Sequence, residues 1–253
     1  MSAAGADSPG AGADPSAVLR VSVAGKTYRP KGLEPVEAVR DLAFSVRAGE
    51  IVCLIGPSGA GKTTTLRILL GLDTDFTGAV AGAEQAGIVF QEPRLLPWRS
   101  VEHNVRLGLP RGKRRRDLDA LFERLSLTPW RSRFPGALSL GMQRRVALAR
   151  ALAGSPRVLV LDEPFVSLDD AAAAELRALV VDTVDAAGMS VLMVTHNVGE
   201  AIQIADRLLL VSRRPATLVA DIALGRPRPA RDRAWADATR TSLAGRHPEV
   251  IAD

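Results

Sequence analysis

Short, uninterrupted hydrophobic runs recur along the chain and alternate with segments that have helical spacing. Runs of four or five apolar residues without a polar position suit strands buried on both faces, as in a parallel sheet covered by helices. The intervening segments have the periodicity of helices, so the pattern predicts an α/β fold. The predicted strands are Ile51–Ile55, Val158–Leu161, Val191–Val194 and Leu208–Val211, and the predicted helices are Lys62–Leu70, Ala171–Ala187 and Val198–Ala205.

The middle of the chain, from about residue 95 to 155, follows a different pattern. It contains no convincing strand, it has helical spacing over Asp117–Leu127 and Met142–Leu152, and prolines interrupt it repeatedly. We interpret this segment as a helical subdomain inserted into a core that spans residues 17–224.

The two ends of the chain differ from this core. Residues 1–16 are small and polar and are predicted to be a disordered tail. They have neither the basic region nor the apolar region of a signal peptide, and no apolar run approaches the ~18 residues of a membrane span. Residues 225–253 are rich in Arg, Pro and Ala and are predicted to be a surface tail with a short helix. We therefore expect a cytoplasmic protein.

Composition is that of a globular chain, with 47% hydrophobic and 24% charged residues, which excludes a disordered or fibrous class for most of it. Lys and Arg number 33 against 28 Asp and Glu, giving a formal charge of +5 and a pI of about 10.1. This balance is compatible with nucleic-acid or membrane-surface binding, and equally with the arginine usage of a GC-rich genome.

The basic run at 111–116 is interpreted as a solvated loop or as a contact with a membrane partner. Cys53 is the single cysteine, in an apolar run, and is predicted to be a core residue.

A phosphate-binding motif directly follows the first predicted core strand. The sequence from Gly56 to Thr63 fits G-x-x-x-x-G-K-[ST] and precedes a predicted helix, which is the context that the motif requires. Glycine allows successive N–H groups to face phosphate oxygens, and the helix adds its positive N-terminal dipole. Lys62 is expected to reach the β and γ phosphates, and the Thr63 hydroxyl to ligate Mg²⁺. The predicted nucleotide-binding residues here are Gly56, Pro57, Ser58, Gly59, Ala60, Gly61, Lys62, Thr63 and Thr64.

Two adjacent acids end another predicted strand. Asp162 and Glu163 follow four apolar residues, which places them at the carboxyl end of a buried parallel strand, where ligands bind. Asp162 is predicted to hold Mg²⁺, and Glu163 is predicted to orient or deprotonate the attacking water.

Together these motifs resemble the ATP-binding cassette (ABC) family, specifically the ATPase subunits of bacterial importers. The most diagnostic part is Leu138-Ser139-Leu140-Gly141-Met142, which is similar to the family signature LSGGQ or LSGGM and precedes a helix over 143–152. The resemblance covers roughly residues 18–223. It implies a P-loop NTPase core with a mainly parallel central sheet, an N-terminal antiparallel β region and the inserted helical subdomain. It also implies a head-to-tail dimer, in which each ATP lies between the phosphate loop of one subunit and Ser139 and Gly141 of the other.

Four further positions match the family pattern, and the resemblance implies a role for each. Gln91 matches the glutamine that senses Mg²⁺ or the attacking water and connects the core to the insert. Asp169 matches the D-loop, which communicates across the dimer. His196 matches the switch histidine that hydrogen-bonds the γ-phosphate. Tyr28 lies where the family places an aromatic ring that stacks on adenine.

The signature departs from the family at two points. Leu140 replaces its first glycine, which would cost on the order of 1 kcal/mol if that position required a positive φ, and the side chain could crowd the facing ATP. We expect the dimer to close less tightly for this reason. Gln143-Arg144 reverses the common Arg-Gln order.

Leu95-Leu96-Pro97-Trp98, after Gln91, is similar to the nitrate, sulfonate and taurine importer ATPases. The resemblance implies ATP and Mg²⁺ as cofactors, transmembrane permease subunits and indirectly a solute-binding protein as partners, and a homodimer at the cytoplasmic face of the membrane. No nucleic acid is expected as a partner. Two alternatives stay open at this point: a soluble ABC ATPase acting on nucleic acid, and a regulatory cassette of low hydrolytic activity.

Overall fold

A computed structural model describes residues 14–110, 112–113 and 115–251. Most of the predicted N-terminal tail, and Arg111 and Arg114 of the basic run, lie outside the described residues. The last residues of that predicted tail make specific contacts, because the Asp14 carboxylate forms an ion pair with the Arg47 guanidinium at 2.7 Å. Among the described residues, no helix is both long enough and apolar enough to cross a bilayer.

Strands and helices alternate through most of the described chain. The strands are β1 (Ala17–Tyr28), β2 (Val36–Arg47), β3 (Ile51–Ile55), β4 (Thr77–Ala81), β5 (Ala86–Val89), β6 (Val158–Asp162), β7 (Ser190–Thr195), β8 (Arg207–Val211) and β9 (Leu218–Ala223). The helices are α1 (Lys62–Leu69), α2 (Val101–Arg106), α3 (Asp119–Arg124), α4 (Leu140–Ala153), α5 (Asp170–Ala187), α6 (Val198–Ile204) and α7 (Arg233–Arg246), with short 3-10 turns between some of them.

The central sheet has the order β5-β6-β7-β3-β8-β9 and is parallel except for β9, which pairs antiparallel with β8. Four of its strands, β3, β6, β7 and β8, correspond to the predicted hydrophobic runs, and every residue of β3 is buried. Alternate residues of β3 pack into two hydrophobic clusters on opposite faces of the sheet. Ile51, Cys53 and Ile55 belong to the first cluster, and Val52 and Leu54 belong to the second. The predicted α/β class with a mainly parallel central sheet is confirmed.

The N-terminal sheet is antiparallel, as expected, with the order β2-β1-β4. In β1, Leu19, Val21 and Val23 are buried while the residues between them face solvent, which is the alternation of a sheet with one covered face. These side chains join the second hydrophobic cluster, so the sheet closes over one face of the core.

The segment between β5 and β6 contains helices and no strand among its described residues, as the proline-punctuated pattern predicts. Of the two helices predicted here, the first is shorter than expected, at Asp119–Arg124, and the second is longer, at Leu140–Ala153. Phe122, fully buried, and Val146 pack into the same cluster as the central strands. The insert therefore shares a hydrophobic core with the sheet.

The C-terminal segment is more than the surface tail that its composition predicts. α7 is a 14-residue helix whose Leu243 is fully buried, and Val250 and Ile251 beyond it are also buried. All three side chains belong to the first hydrophobic cluster. Trp235, Ala236 and Ala244 of α7 also pack against this cluster, partly buried. Such sparse apolar positions in a polar segment do not identify a core helix in the sequence.

Candidate active site

Four neighbouring parallel strands end at the same edge of the central sheet, and each end carries a predicted functional residue. The phosphate loop follows β3, and His196 follows β7 directly. Asp162 is the last residue of β6, and Gln91 stands two residues beyond β5. The structure therefore brings together residues that lie as far as 140 positions apart in the sequence.

The register between these strands sets how the residues align along the edge. Asp162 pairs with Val194, two residues before His196. Ile55, which precedes the phosphate loop, pairs with Thr195. Because the pairing is parallel throughout, the phosphate loop, the two acids and the histidine stand at one level of the sheet.

Glycine at two positions allows the phosphate loop to take its shape. Gly59 and Gly61 have φ values of +77° and +107°, which L-residues rarely adopt. A Cβ at Gly61 would also lie 2.4 Å from the Ala38 carbonyl oxygen. Gly61 precedes α1 without a side-chain cap, so the first N–H groups of this helix, which have no intrahelical acceptor, are free to bind an anion.

Lys62 lies at the base of this loop and is buried. Its ammonium donates to the carbonyl oxygens of Gly56, at 2.6 Å, and Pro57, at 2.9 Å. Burial lowers the pKa of Lys62, while the nearby carboxylates of Glu163 and Asp162 act in the opposite direction. The lysine is thus a cation fixed in a partly dry site, which is where it interacts most strongly with a phosphate.

Glu163 and His196 form a direct pair, with 3.1 Å between the Glu163 Oε1 and His196 Nδ1 atoms. Glu163 has a φ of +44°, an unusual value for a residue with a side chain. Its N–H donates to the Val194 carbonyl oxygen at 2.8 Å, which ties this strained turn to β7. The carboxylate is therefore held at the edge of the sheet beside the histidine.

The residues predicted to hold Mg²⁺ supply only oxygen ligands. Asp162 is half-buried, and its pKa is raised by burial and then by the neighbouring Glu163 carboxylate, with Lys62 acting in the opposite direction. The Thr63 and Gln91 side chains are exposed at the same edge. Within the described residues, no group of three or more His, Cys, Asp or Glu side chains forms a metal cage. Such a sparse set of oxygen donors is what Mg²⁺ uses when phosphates and water supply its other ligands.

Tyr28, at the end of β1, stands against the phosphate loop. Its hydroxyl donates to an Asp73 carboxylate oxygen at 3.0 Å and lies 3.5 Å from the Thr64 hydroxyl. The buried ammonium of Lys26 lies 4.6 Å from the ring centroid and forms an ion pair with Asp73 at 2.8 Å. The ring is thus anchored beside the start of α1, and its adenine contact stays a prediction.

The signature forms the N-terminus of α4. The Ser139 hydroxyl caps this helix by accepting from the Met142 N–H at 3.3 Å. Leu140 is the first helical residue and is not among the described residues with positive φ, so the backbone strain considered for this position does not occur in this structure. Its side chain is 38% exposed. Of the concerns raised by the missing glycine, only the bulk of the leucine side chain remains.

Asp169 caps α5 in the same way, with its carboxylate accepting from the Ala172 N–H at 2.8 Å. In the part of the chain that the structure describes, neither Asp169 nor Ser139 forms a hydrogen bond or ion pair with the phosphate loop of the same subunit.

Sequence reasoning missed three residues that shape this region. Lys26 anchors the Asp73 carboxylate that holds Tyr28. Asn104 is fully buried, and its amide makes four hydrogen bonds to the main chain of residues 96–100, which fixes the loop that contains Trp98. Arg144 is buried and binds the main chain after Glu163. Two of them carry a sequence signal, since Asn104 belongs to the segment after Gln91 that is similar to the importer ATPases and Arg144 departs from the family order.

Comparisons with known proteins identify the family of this chain. The sequence model of the family described as "ABC transporter" matches residues 39–166. "Aliphatic sulfonates import ATP-binding protein SsuB 1" of Pseudomonas savastanoi pv. phaseolicola is 42% identical over 196 residues, covering 77% of this chain and 82% of the relative. "Aliphatic sulfonates import ATP-binding protein SsuB 2" of Burkholderia cenocepacia is 39% identical over 243 residues, covering 92% of this chain and 88% of the relative.

The solved structure of the ATP-binding cassette MJ0796, a dimer in a post-hydrolysis state bound to ADP and Pi, is also similar, with a TM-score of 0.68 and 26% identity. It covers 83% of this chain and the whole of its own. These matches favour an importer ATPase over an ATPase that acts on nucleic acid. The chain belongs to the ABC transporter family, as an ATP-hydrolysing subunit of the importer type.

Proposed function

We propose that this chain hydrolyses MgATP at the carboxyl edge of its central sheet, with Glu163 as the general base and His196 as the residue that steadies the γ-phosphate. The observation that carries the proposal is the contact of 3.1 Å between these two side chains at the level of the phosphate loop. Lys62 binds the β and γ phosphates, and Glu163 accepts the proton of the attacking water. Tyr28 stacks on the adenine ring, and its anchored hydroxyl keeps the ring in place.

The oxygen donors Thr63, Gln91 and Asp162 fit Mg²⁺, and they would hold it between the phosphate loop and the end of β6. When bound, this ion neutralises the charge that develops on the transferred phosphoryl group. The chain itself positions the reactants and supplies the base, which is sufficient for a reaction in which the protein has little covalent chemistry to perform.

In the dimer, residues of the partner subunit complete the binding site of each nucleotide. Ser139 and Gly141 at the N-terminus of α4 bind the γ-phosphate held by the other subunit, and Asp169 contributes at the same interface. Ser139 and Gly141 lie at the N-terminus of a 14-residue helix, which favours an anion and so supports this role. We propose a homodimer arranged head to tail.

The transported solute is proposed from the relatives. Two of them are named for aliphatic sulfonate import, so we propose that this chain powers the uptake of a sulfonate or of a similar small oxyanion such as nitrate. The permease is a separate transmembrane protein that is served by a solute-binding protein, and this chain binds it at the cytoplasmic face of the membrane. Trp98, 69% exposed on the loop that Asn104 fixes, supports the helical insert as the permease-facing surface.

Two experiments test the proposal. ATP turnover by the purified chain, measured as phosphate release with and without Mg²⁺, separates a hydrolase from a regulatory cassette, and absence of turnover would contradict it. Deletion of the gene in its own organism should abolish growth on an aliphatic sulfonate as sole sulfur source while growth on sulfate continues. Normal growth of the deletion strain on both sulfur sources would exclude sulfonate as the solute.

A further inference from the structure

Arg144 is a buried cation whose hydrogen bonds, in the part of the chain that the structure describes, all go to main-chain oxygens. It lies on α4, five residues after Ser139, and it is 3% exposed. Burial lowers the pKa of its guanidinium, while the more distant Glu200 carboxylate acts in the opposite direction. Because a buried charge is costly unless polar groups compensate it, these carbonyl groups are what makes an arginine possible at this position.

The acceptors all belong to the turn that leads from β6 to α5. Nη1 of Arg144 donates to the carbonyl oxygens of Glu163, at 3.3 Å, and Pro164, at 2.5 Å, and Nη2 donates to that of Val166 at 2.6 Å. The guanidinium is a planar, rigid fork, and hydrogen bonds from a charged donor are stronger than neutral ones. One side chain thus fixes the direction of three peptide groups.

This turn has a main-chain conformation that requires such support. Glu163 has a φ of +44° and Ser167 a φ of +63°, and residues with side chains persist in this region only where their surroundings hold them. β7 fixes the N–H of Glu163 through the Val194 carbonyl oxygen at 2.8 Å. Arg144 fixes the carbonyl side of the same residue. The carboxylate of Glu163 reaches His196 from a main chain held on both sides.

We propose that Arg144 is a positioning residue for hydrolysis, which holds the Glu163 carboxylate where it takes the proton from water. The inference rests on the proposed role of Glu163 as the base. A displacement of about 1 Å in a catalytic group can lower a rate by about 10²-fold, so loss of the fork should slow turnover strongly. Because α4 also begins at the signature, Arg144 connects the residues that bind one nucleotide to the base that acts on the other.

The test compares Arg144→Met with the parent in the full chain, by measuring kcat for ATP and the ATP affinity by calorimetry. We expect kcat to fall at least tenfold while the dissociation constant for ATP changes less than twofold, because the hydrogen bonds of Arg144 within the described residues go to the turn after β6 and not to the phosphate loop. Arg144→Gln, whose amide can still donate to these carbonyl groups, should lose less of the parental kcat. If Arg144→Met does not fold, the kcat of Arg144→Gln is the quantity that tests the proposal. Arg207→Met is the matched control, since Arg207 is also buried but pairs with Glu50 at the opposite edge of the sheet; it should lose stability and keep its kcat.

A double variant separates this inference from the proposed base. Under single-turnover conditions, Arg144→Met should slow hydrolysis no further when Glu163→Gln is already present, because the two changes act on one group. Three results would overturn the positioning role and leave Glu163 as the base. They are an unchanged kcat in both Arg144 variants, a loss of ATP affinity as large as the loss of kcat, and additive effects on the rate of hydrolysis in the double variant. Parental turnover in Glu163→Gln alone would overturn the base itself, and the positioning role with it.

Discussion

Glu163→Gln isolates the chemical part of the site from its geometry. Glutamine has the shape of glutamate, so the main-chain bonds to Val194 and Arg144 and the contact with His196 can persist, while the proton acceptor and the negative charge are lost. General base catalysis contributes about 10²–10⁴-fold to a rate, which corresponds to about 3–5 kcal/mol of activation free energy. We therefore expect kcat to fall by at least two orders of magnitude. Removal of an anion from beside the γ-phosphate should leave ATP binding at least as tight as in the parent.

The assay measures phosphate release under steady-state conditions and ATP affinity by calorimetry, and size-exclusion chromatography with ATP follows the dimer. Binding without hydrolysis should trap the dimer, so the variant should elute as a dimer with ATP and as a monomer without it. Glu84→Gln makes the same chemical change on an exposed residue before β5, at the opposite end of that strand, and should behave like the parent. Retention of more than a tenth of parental turnover by Glu163→Gln would refute its role as the base.

Three further predictions concern single residues. Lys62→Ala should weaken ATP binding about 10–100-fold, the range for a charge-assisted hydrogen bond worth about 1.5–3 kcal/mol, and equal affinity by calorimetry would contradict its role. Burial and then Glu163 raise the pKa of Asp162 above its value in the unfolded chain, so the protonated carboxyl stabilises the fold at low pH and this contribution is lost as pH rises through the folded pKa. Asp162→Asn should therefore have a larger free energy of unfolding in urea than the parent at pH 7. An equal increase at pH 4 would contradict the buried charge as the cause. Leu243→Ala should lower the free energy of unfolding, measured in urea, by about 2–5 kcal/mol because the side chain is fully buried. The same change at Leu33, which is 72% exposed, should lower it little. Equal losses in the two variants would mean that α7 is not docked.

The sequence predicts the central sheet and its functional edge well because both have local signatures. A strand buried on two faces shows as an unbroken apolar run, as at Ile51–Ile55 and Val158–Leu161. In a parallel sheet, the residue that follows such a run is placed at the carboxyl edge without further information. For this reason the residue pattern alone assigns the phosphate loop and Asp162 to one edge of the sheet, whereas His196 is predicted from the family resemblance.

What the sequence does not predict depends on contacts between distant segments. Helical spacing shows that α4 is a helix, but it does not show that the face bearing Arg144 meets the carbonyl groups after Glu163, 19 residues later. The docking of α7 likewise depends on Leu243 finding a gap in a core built by other elements. In both cases the information lies in the packing partner and not in the segment itself.

The basic composition takes on a different meaning in the structure. Several arginines act as main-chain donors. Arg144 binds the turn after β6, Arg150 donates to the carbonyl oxygens of Pro93 and Arg94 beyond Gln91, and Arg231 donates to those of Ile202 and Ala205 at the end of α6. Burial lowers the pKa of each of these three guanidinium groups. Guanidinium groups that donate to main-chain carbonyl oxygens in this way have fewer free donors to offer a polyanion. Two of the three, Arg144 and Arg150, hold the loops that follow β6 and β5 at the candidate active site, so these arginines have a structural role and are no argument for nucleic-acid binding.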